Sequence, residues 1–413
     1  MTGRRQRRLM AGIALAALLP LAGIAQETGG LRLTFGIAFR AETTSNLALE
    51  SPAEGRTSQI GTRLSFGLFD ETRVGSLSFQ ASGFLRALDG PGGTETGFET
   101  PDLRFAWNRS GARSTLGVTA FLREADLDTL RGLLIDPETG NVTPLSGEGT
   151  QRQTGGDIVY TFGAGEPWGL TLSAGLTDTT YQDAPGEVDN LRTRAGATLR
   201  FALDPATEAT FGLRHSTYKE DGAARSDTLR AELGLARSLP LGNISATFFA
   251  EDTEDGTRTG LSFGRSVDLA SGGQLTYSLG ATRGASGNTN LTGALDWTRP
   301  LPRGSLSLGL RRSVASGDGD AETLATSLNL GLSQNLTPQT ALSIGLNAAE
   351  AEETATGDTT RTATLNAALT HELPRDWALE GGYTHRIREE EATPRATSDT
   401  IYLELRRTFG WRP

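Results

Sequence analysis

From Leu31 onward the chain alternates apolar with polar or small side chains, with a period of two. Leu31, Leu33, Phe35, Ile37 and Phe39 hold the odd positions, and Arg32, Thr34, Gly36, Ala38 and Arg40 lie between them. Successive side chains of a β-strand point to opposite faces, so this run predicts a strand with one apolar and one polar face. The rhythm returns in Ile60, Leu64, Phe66 and Leu68, in Leu77, Phe79, Ala81 and Leu85, and in Leu103, Phe105 and Trp107. It continues through Leu199, Phe201 and Leu203, then Leu306, Leu308 and Leu310, then Leu342, Ile344 and Leu346. The three- and four-residue spacing of an amphipathic helix is missing.

Two kinds of connection separate these segments. One kind is short and carries Pro or Gly, as at residues 108–111, 163–167, 203–206, 239–243, 300–304, 336–339 and 373–376. The other is longer, acidic and hydrophilic: 43–56, 89–101, 180–190, 219–227, 251–257, 316–322, 350–360 and 389–399. Short turns alternating with long loops are what an up-and-down barrel requires, with all the short turns on one side. The segments number about 20, or 18 or 16 if the weakest, around Phe211, Leu261 and Leu365, are not strands. The expected fold is all-β, a closed antiparallel up-and-down transmembrane β-barrel. Trp107, Trp168, Trp297, Trp377 and Trp411 all fall near short-turn ends, where they would form an interfacial girdle.

The first residues bear on compartment. Arg4, Arg5, Arg7 and Arg8 precede an apolar run over residues 9–24, and small Gly23 and Ala25 follow. This is the pattern of a secretory signal peptide, read as residues 1–25, with one barrel domain over 26–413. No change of texture or linker divides the rest of the 413 residues. Cys is absent, which removes a lipid-anchored cysteine, disulfides, Cys-ligated zinc and a thiol nucleophile. No later apolar run is long enough for a spanning helix, so a membrane form must be a barrel. The net charge of −10 argues against nucleic-acid binding.

At the end of the chain Ile401, Leu403, Leu405, Phe409 and Trp411 alternate almost to the last residue, with Arg412 and Pro413 after them. This terminal strand resembles that of bacterial outer-membrane β-barrels, including porins, which close on an aromatic residue. The resemblance covers the class and identifies no specific family. It implies a location in the bacterial cell outer membrane with both termini periplasmic. It also implies outer-membrane lipid and lipopolysaccharide as surroundings, and recognition by the barrel-assembly machinery.

Inward positions are dominated by Gly, Ser, Thr, Ala and Arg, and about 20 strands close at a radius of about 20 Å, too wide for side chains to fill. A watery lumen is expected, with Arg32, Arg40, Arg63, Arg194, Arg200, Arg230 and Arg406 on its wall. These arginines either present charge to the lumen or pair with inward carboxylates such as Glu232 and Glu404. The connection 123–153 is long and carries Glu124, Asp126, Asp128, Asp136, Glu138 and Glu148, with Leu130, Leu133, Leu134 and Ile135 as a short amphipathic turn. In porins the loop after the fifth strand narrows the lumen, and the resemblance implies the same for this one; the porin Pro-Glu-Phe-Gly-Gly motif is not in it.

The first functional expectation is a porin-like passive channel for small hydrophilic solutes or ions. The second is a non-conducting structural or adhesion barrel that binds an external partner through its acidic loops. Enzyme chemistry is not expected. His215, His371 and His385 are scattered, and His215 and the adjacent Ser216 point to opposite strand faces. No cofactor or metal site is expected, because Glu389, Glu390 and Glu391, and likewise Glu251, Asp252, Glu254 and Asp255, lack an EF-hand spacing and read as solvated loop charge. What passes through, whether the lumen is plugged, and the oligomeric state stay open at this level.

Overall fold

The computed structural model describes residues 29–127, 132–135, 142–145, 149–316, 322–354, 356–391 and 393–413. Its strands begin with β1 (Gly30–Thr44), β2 (Thr57–Thr72), β3 (Gly75–Gly90), β4 (Gly93–Ser110) and β5 (Ser114–Asp126). Two short strands follow, β6 (Gly132–Ile135) and β7 (Val142–Leu145). Next come β8 (Thr150–Phe162), β9 (Trp168–Gln182), β10 (Asn190–Asp204), β11 (Thr207–Glu220) and β12 (Ser226–Leu239). Then come β13 (Gly242–Thr253), β14 (Gly256–Asp268), β15 (Gln274–Arg283), β16 (Thr289–Leu301) and β17 (Gly304–Ser316). The last five are β18 (Glu322–Thr337), β19 (Thr340–Glu353), β20 (Thr359–Leu373), β21 (Trp377–Glu390) and β22 (Thr393–Trp411).

Twenty of these strands form one antiparallel sheet in which each pairs with its neighbours in sequence, apart from the separate β6–β7 hairpin. The ring closes where β1 pairs with β22, from Leu33 opposite Trp411 to Thr44 opposite Thr400. The segments around Phe211, Leu261 and Leu365 are the strands β11, β14 and β20, so the count is 20.

The registers sort the side chains onto two faces. Opposed pairs such as Phe35 and Phe66, Leu330 and Leu346, and Tyr383 and Ile401 share the outer face. Many of these large apolar groups are exposed, including Ile60, Leu279, Leu291 and Ile401, each more than 60% accessible. In water such a surface would be a severe liability, whereas hydrocarbon requires it. On β22 the apolar stripe runs from Ile401 to Trp411 and gives way to Asp399. At a strand rise near 3.4 Å and a tilt near 40°, that stripe is about 26 Å tall, the thickness of a membrane's apolar band.

All five tryptophans lie on the outer face at the rim where β1 begins and β22 ends: Trp107 near the end of β4, Trp168 opening β9, Trp297 near the end of β16, Trp377 opening β21 and Trp411 closing β22. Indole rings prefer this boundary between hydrocarbon and headgroups. Arg407 also sits there, its guanidinium over the rings of Trp377 and Phe409 at 5.7 and 4.5 Å. Its stem covers apolar surface while the charge stays at the interface.

The opposite rim departs from the expected long loops. Residues 89–101 are a hairpin: β3 runs to Gly90, β4 starts at Gly93, and only Pro91 and Gly92 turn the chain. Likewise β13 and β14 are joined by Glu254 and Asp255 alone, and most of 350–360 and 389–399 is strand. Above the bilayer both faces of a strand meet water, so the apolar stripe that marks a strand disappears while the backbone ladder continues. The wall therefore rises beyond the membrane on this side.

Leu330 lies mid-stripe on the outer face of β18, and its neighbour Asn329 lies on the inner face. Leu330→Arg lowers the folding free energy in lipid vesicles by about 2–4 kcal/mol. Asn329→Arg costs much less. Urea titration of vesicle-refolded protein measures both, and equal losses would contradict the assignment of faces.

Candidate lumen and constriction

The inner face is built from the residues that alternate with the apolar stripe. Arg32, Arg40, Arg63, Arg194, Arg200, Arg230 and Arg406 all fall on it by register. The same parity adds Arg86, Arg104, Arg123, Arg192, Arg214, Arg258, Arg311, Arg386 and Arg388, which the sequence reading did not single out. Their positions were readable in principle, since Arg192 and Arg214 keep step with Arg194 and its opposed strand.

Carboxylates hold many of these cations. Arg40 meets Glu42 at 2.6 Å and Glu404 at 3.6 Å, and Arg406 meets Glu380 at 3.2 Å. Arg194 lies 3.4 Å from Asp157, and Arg200 lies 3.3 Å from Glu208 and donates to the carbonyls of Gly163 and Glu166. Arg230 bonds Glu232 at 3.0 Å and reaches Glu251, which is shared with buried Arg258. Glu251 thus faces inward, and among the described residues no cluster of His, Asp or Glu could hold a metal ion. His215 is on the outer face with Asp227, while Ser216 is opposite Arg194 on the inner face.

A repeated three-part arrangement keeps the inner wall flat. Tyr402, Phe249, Phe84, Phe121 and Phe69 carry the guanidinium groups of Arg40, Arg230, Arg63, Arg123 and Arg32, at ring-centroid distances of 3.9–5.8 Å. Each ring lies across a glycine: Gly382, Gly260, Gly61, Gly155 and Gly67. At Gly61 an added Cβ would come within 2.6 Å of the Phe84 ring, so any larger residue would lift the ring off the sheet. Covering a strand glycine with an aromatic ring protects the exposed backbone. The cation then stacks on the ring. Arginines held in this way lie along the wall instead of projecting across the bore.

Two connections enter the opening at the far rim. The first, residues 45–56, packs against β21 and β22. Asn46, 2% exposed, donates to the carbonyls of Glu50 and Thr397 and accepts from the Glu50 amide. Arg386 donates to the Leu47 carbonyl, and Ser398 beneath is fully buried.

The second joins β5 to β8. It leaves the wall at Leu127, which is 0% exposed and donates its amide to the Gly149 carbonyl, closing the neck. Arg86, with a side chain 7% exposed, binds Glu99 at 2.5 Å and Asp126 at 2.8 Å, so it ties this departure point to the barrel. Gly97 stands opposite Arg86 on β4, and a Cβ there would meet the Glu99 carboxylate at 3.3 Å. Glu124 is still within β5 and pairs with Arg152 at 2.7 Å. The side chains of Asp128, Asp136, Glu138 and Glu148, and also residues 1–25, lie outside the described residues.

In the β5–β8 connection β6 comes within 8 Å, Cα to Cα, of β20. β20 is seven strands from β5 around the shorter arc, past β4, β3, β2, β1, β22 and β21. Seven strand spacings measure about 34 Å along the wall. From Leu127 to Ile135 the chain spans at most about 29 Å fully extended. With the 8 Å contact distance added, the connection at full extension reaches from the wall at β5 to the wall at β20.

At the mouth, Glu187 in the connection 183–189 is pushed above the ordinary carboxylate range by burial first, and second by the charge of Glu220.

No family model matches the chain, and no curated protein does. Solved structures do. The ferric enterobactin receptor PfeA of Pseudomonas aeruginosa, as its R480A/Q482A mutant, aligns with a TM-score of 0.52 at 12% identity, over 91% of this chain and 80% of that one. The siderophore receptor PirA of the same organism aligns with a TM-score of 0.50 at 11% identity, over 93% and 81%. The fold is that of the bacterial outer-membrane β-barrels. P. aeruginosa OpdQ is also similar, at a TM-score of 0.42 and 11% identity, over 92% and 99%. At these identities the likeness concerns fold alone.

Replacing Arg86 with Leu leaves Glu99 and Asp126 together without their cation, a loss of about 3–5 kcal/mol for a buried pair. The barrel survives on its ladder and the β5–β8 connection loosens. Limited proteolysis should then cut between Leu127 and Gly149 at protease levels that leave the wild type intact. Unchanged cleavage would show that Arg86 does not anchor it.

Proposed function

We propose that the protein is an outer-membrane channel for passive diffusion of small hydrophilic solutes, with the termini and the tryptophan rim facing the periplasm. The observation that supports this reading most is the closed 20-strand ring with Ser, Thr, Gly, Asn and Arg on its inner face. A ring of this size has a radius of about 20 Å, which inward side chains of this kind leave open to water.

The constriction is assigned to the β5–β8 connection, because β6 carries it from β5 to the wall at β20. Its acidic residues Glu124, Asp126, Asp128, Asp136, Glu138 and Glu148 divide between two roles. Glu124 and Asp126 stay at the wall as partners of Arg152 and Arg86. The other four are the residues proposed to face the arginine wall. Because several arginines are already matched by carboxylates, selectivity is set by those that are not.

The alternative, a barrel for adhesion through long acidic loops, loses much of its basis where 89–101 and 251–257 turn out to be tight hairpins. No separate observation favours it.

Single-channel recording of the refolded chain in planar bilayers tests the proposal. Discrete conductance steps are expected, and replacing residues 128–148 with a short Gly-Ser linker should raise their size. A folded barrel that inserts and shows no steps would refute the channel reading.

A further inference from the structure

The inner face differs from one side of the ring to the other. On β18, β19 and β20 the inward positions between Ala325 and Ser333, Ala341 and Ala351, and Thr360 and Thr370 carry only hydroxyls, amides, Gly and Ala. Asn329 and Asn347 are directly opposed there. Eight strands away, β10 and β11 carry Arg192, Arg194, Arg200 and Arg214 on the same face. Arg214 is exposed and has no carboxylate partner among the described residues, and it stands directly opposite Arg230 on β12. Arg230 is held by Glu232 and Glu251, so the guanidinium of Arg214 is the one of this opposed pair that is open to an anion from the lumen.

The β5–β8 connection, rooted in β5 and touching β20 through β6, separates two arcs of the wall. On one side lie β21, β22 and β1 to β4, and the connection 45–56 already fills part of that side. On the other side lie β9 to β19, where the connection 183–189 stands at the mouth with Glu187 beside Glu220.

We infer that solutes pass through the larger compartment, between the arginines of β10 and β11 and the hydroxyl and amide wall of β18 and β19, and that these two walls favour small polyhydroxylated carboxylates. Guanidinium groups bind the carboxylate, often through two parallel bonds. Asparagine amides and serine hydroxyls both donate and accept, as a row of solute hydroxyls requires. The inference rests on the channel reading and adds to it a path and a substrate class.

The test uses the refolded chain in planar bilayers, with gluconate as the probe and acetate and sorbitol as comparisons. Gluconate carries both the charge and the hydroxyls, and each comparison carries one of them. Gluconate should interrupt the open-channel current for longer than either, and both Arg214→Gln and Asn347→Ala should shorten its events. Arg214→Gln should also lower the anion-to-cation permeability ratio by about twofold, as removal of a wall charge does in a wide pore. Arg104→Gln removes an inward charge on β4, in the smaller compartment, and should leave the ratio unchanged.

If a variant does not refold, Thr198→Cys labelled after folding with an anionic thiol reagent replaces it. The chain has no cysteine of its own, so the label is specific. Thr198 faces inward on β10, and the label should reduce anion permeability as Arg214→Gln does. An Arg104→Gln effect equal to that of Arg214→Gln overturns the path. Gluconate events no longer than those of acetate overturn the substrate class. An absence of conductance in the wild type is a different result, because it defeats the channel reading itself.

Discussion

Every other feature of this wall depends on one constraint: in hydrocarbon a backbone amide or carbonyl without a partner costs several kcal/mol, and water is not there to supply one. A sheet escapes that cost only when it has no edge. The pairing of β1 with β22, which sets Leu33 beside Trp411 and Phe39 beside Leu405, removes the edge. Once the ring is closed, each strand must offer lipid on one side and an enclosed space on the other, and a period of two does both.

The enclosed side shows how polar groups are managed around a wide bore. Rings such as Tyr402 and Phe249 lie down on Gly382 and Gly260, and arginines lie down on the rings. Carboxylates such as Glu404 and Glu232 take up part of the positive charge. Five of the glycines acquire a purpose here, since each leaves a place without a side chain on which a ring rests flat. Charge is left over where that arrangement is incomplete, as at Arg214 and Arg311.

Most of the barrel was legible in the sequence because lipid leaves a strong mark on it. The outward Leu and Phe positions, the tryptophans at one rim and the Pro-containing turns each fall where the alternation places them. The legible part stops where the lipid stops. Above the membrane β3 and β4 continue as a hydrophilic hairpin, and residues such as Asp89, Thr94 and Glu95 look like loop because neither of their faces meets hydrocarbon. The seating of 45–56 on β21 and β22 depends on Asn46 and Arg386 meeting backbone carbonyls remote in sequence, which no spacing reveals. The role of Arg86 at the root of the β5–β8 connection is hidden for the same reason: Asp126 is 40 residues away from it. In the candidate lumen, parity located seven arginines, and parity alone says nothing of which are neutralised.

The central claim is that one face of every strand meets lipid and the other meets water. Single cysteines placed in turn from Ser327 to Ser333 on β18, spin-labelled after refolding into vesicles, test it most directly. Collision with oxygen, which concentrates in lipid, should peak at Leu328, Leu330 and Leu332. Collision with a water-soluble nickel chelate should peak at Ser327, Asn329, Gly331 and Ser333. Accessibility without that alternation, or with aqueous access at all seven positions, would contradict the account.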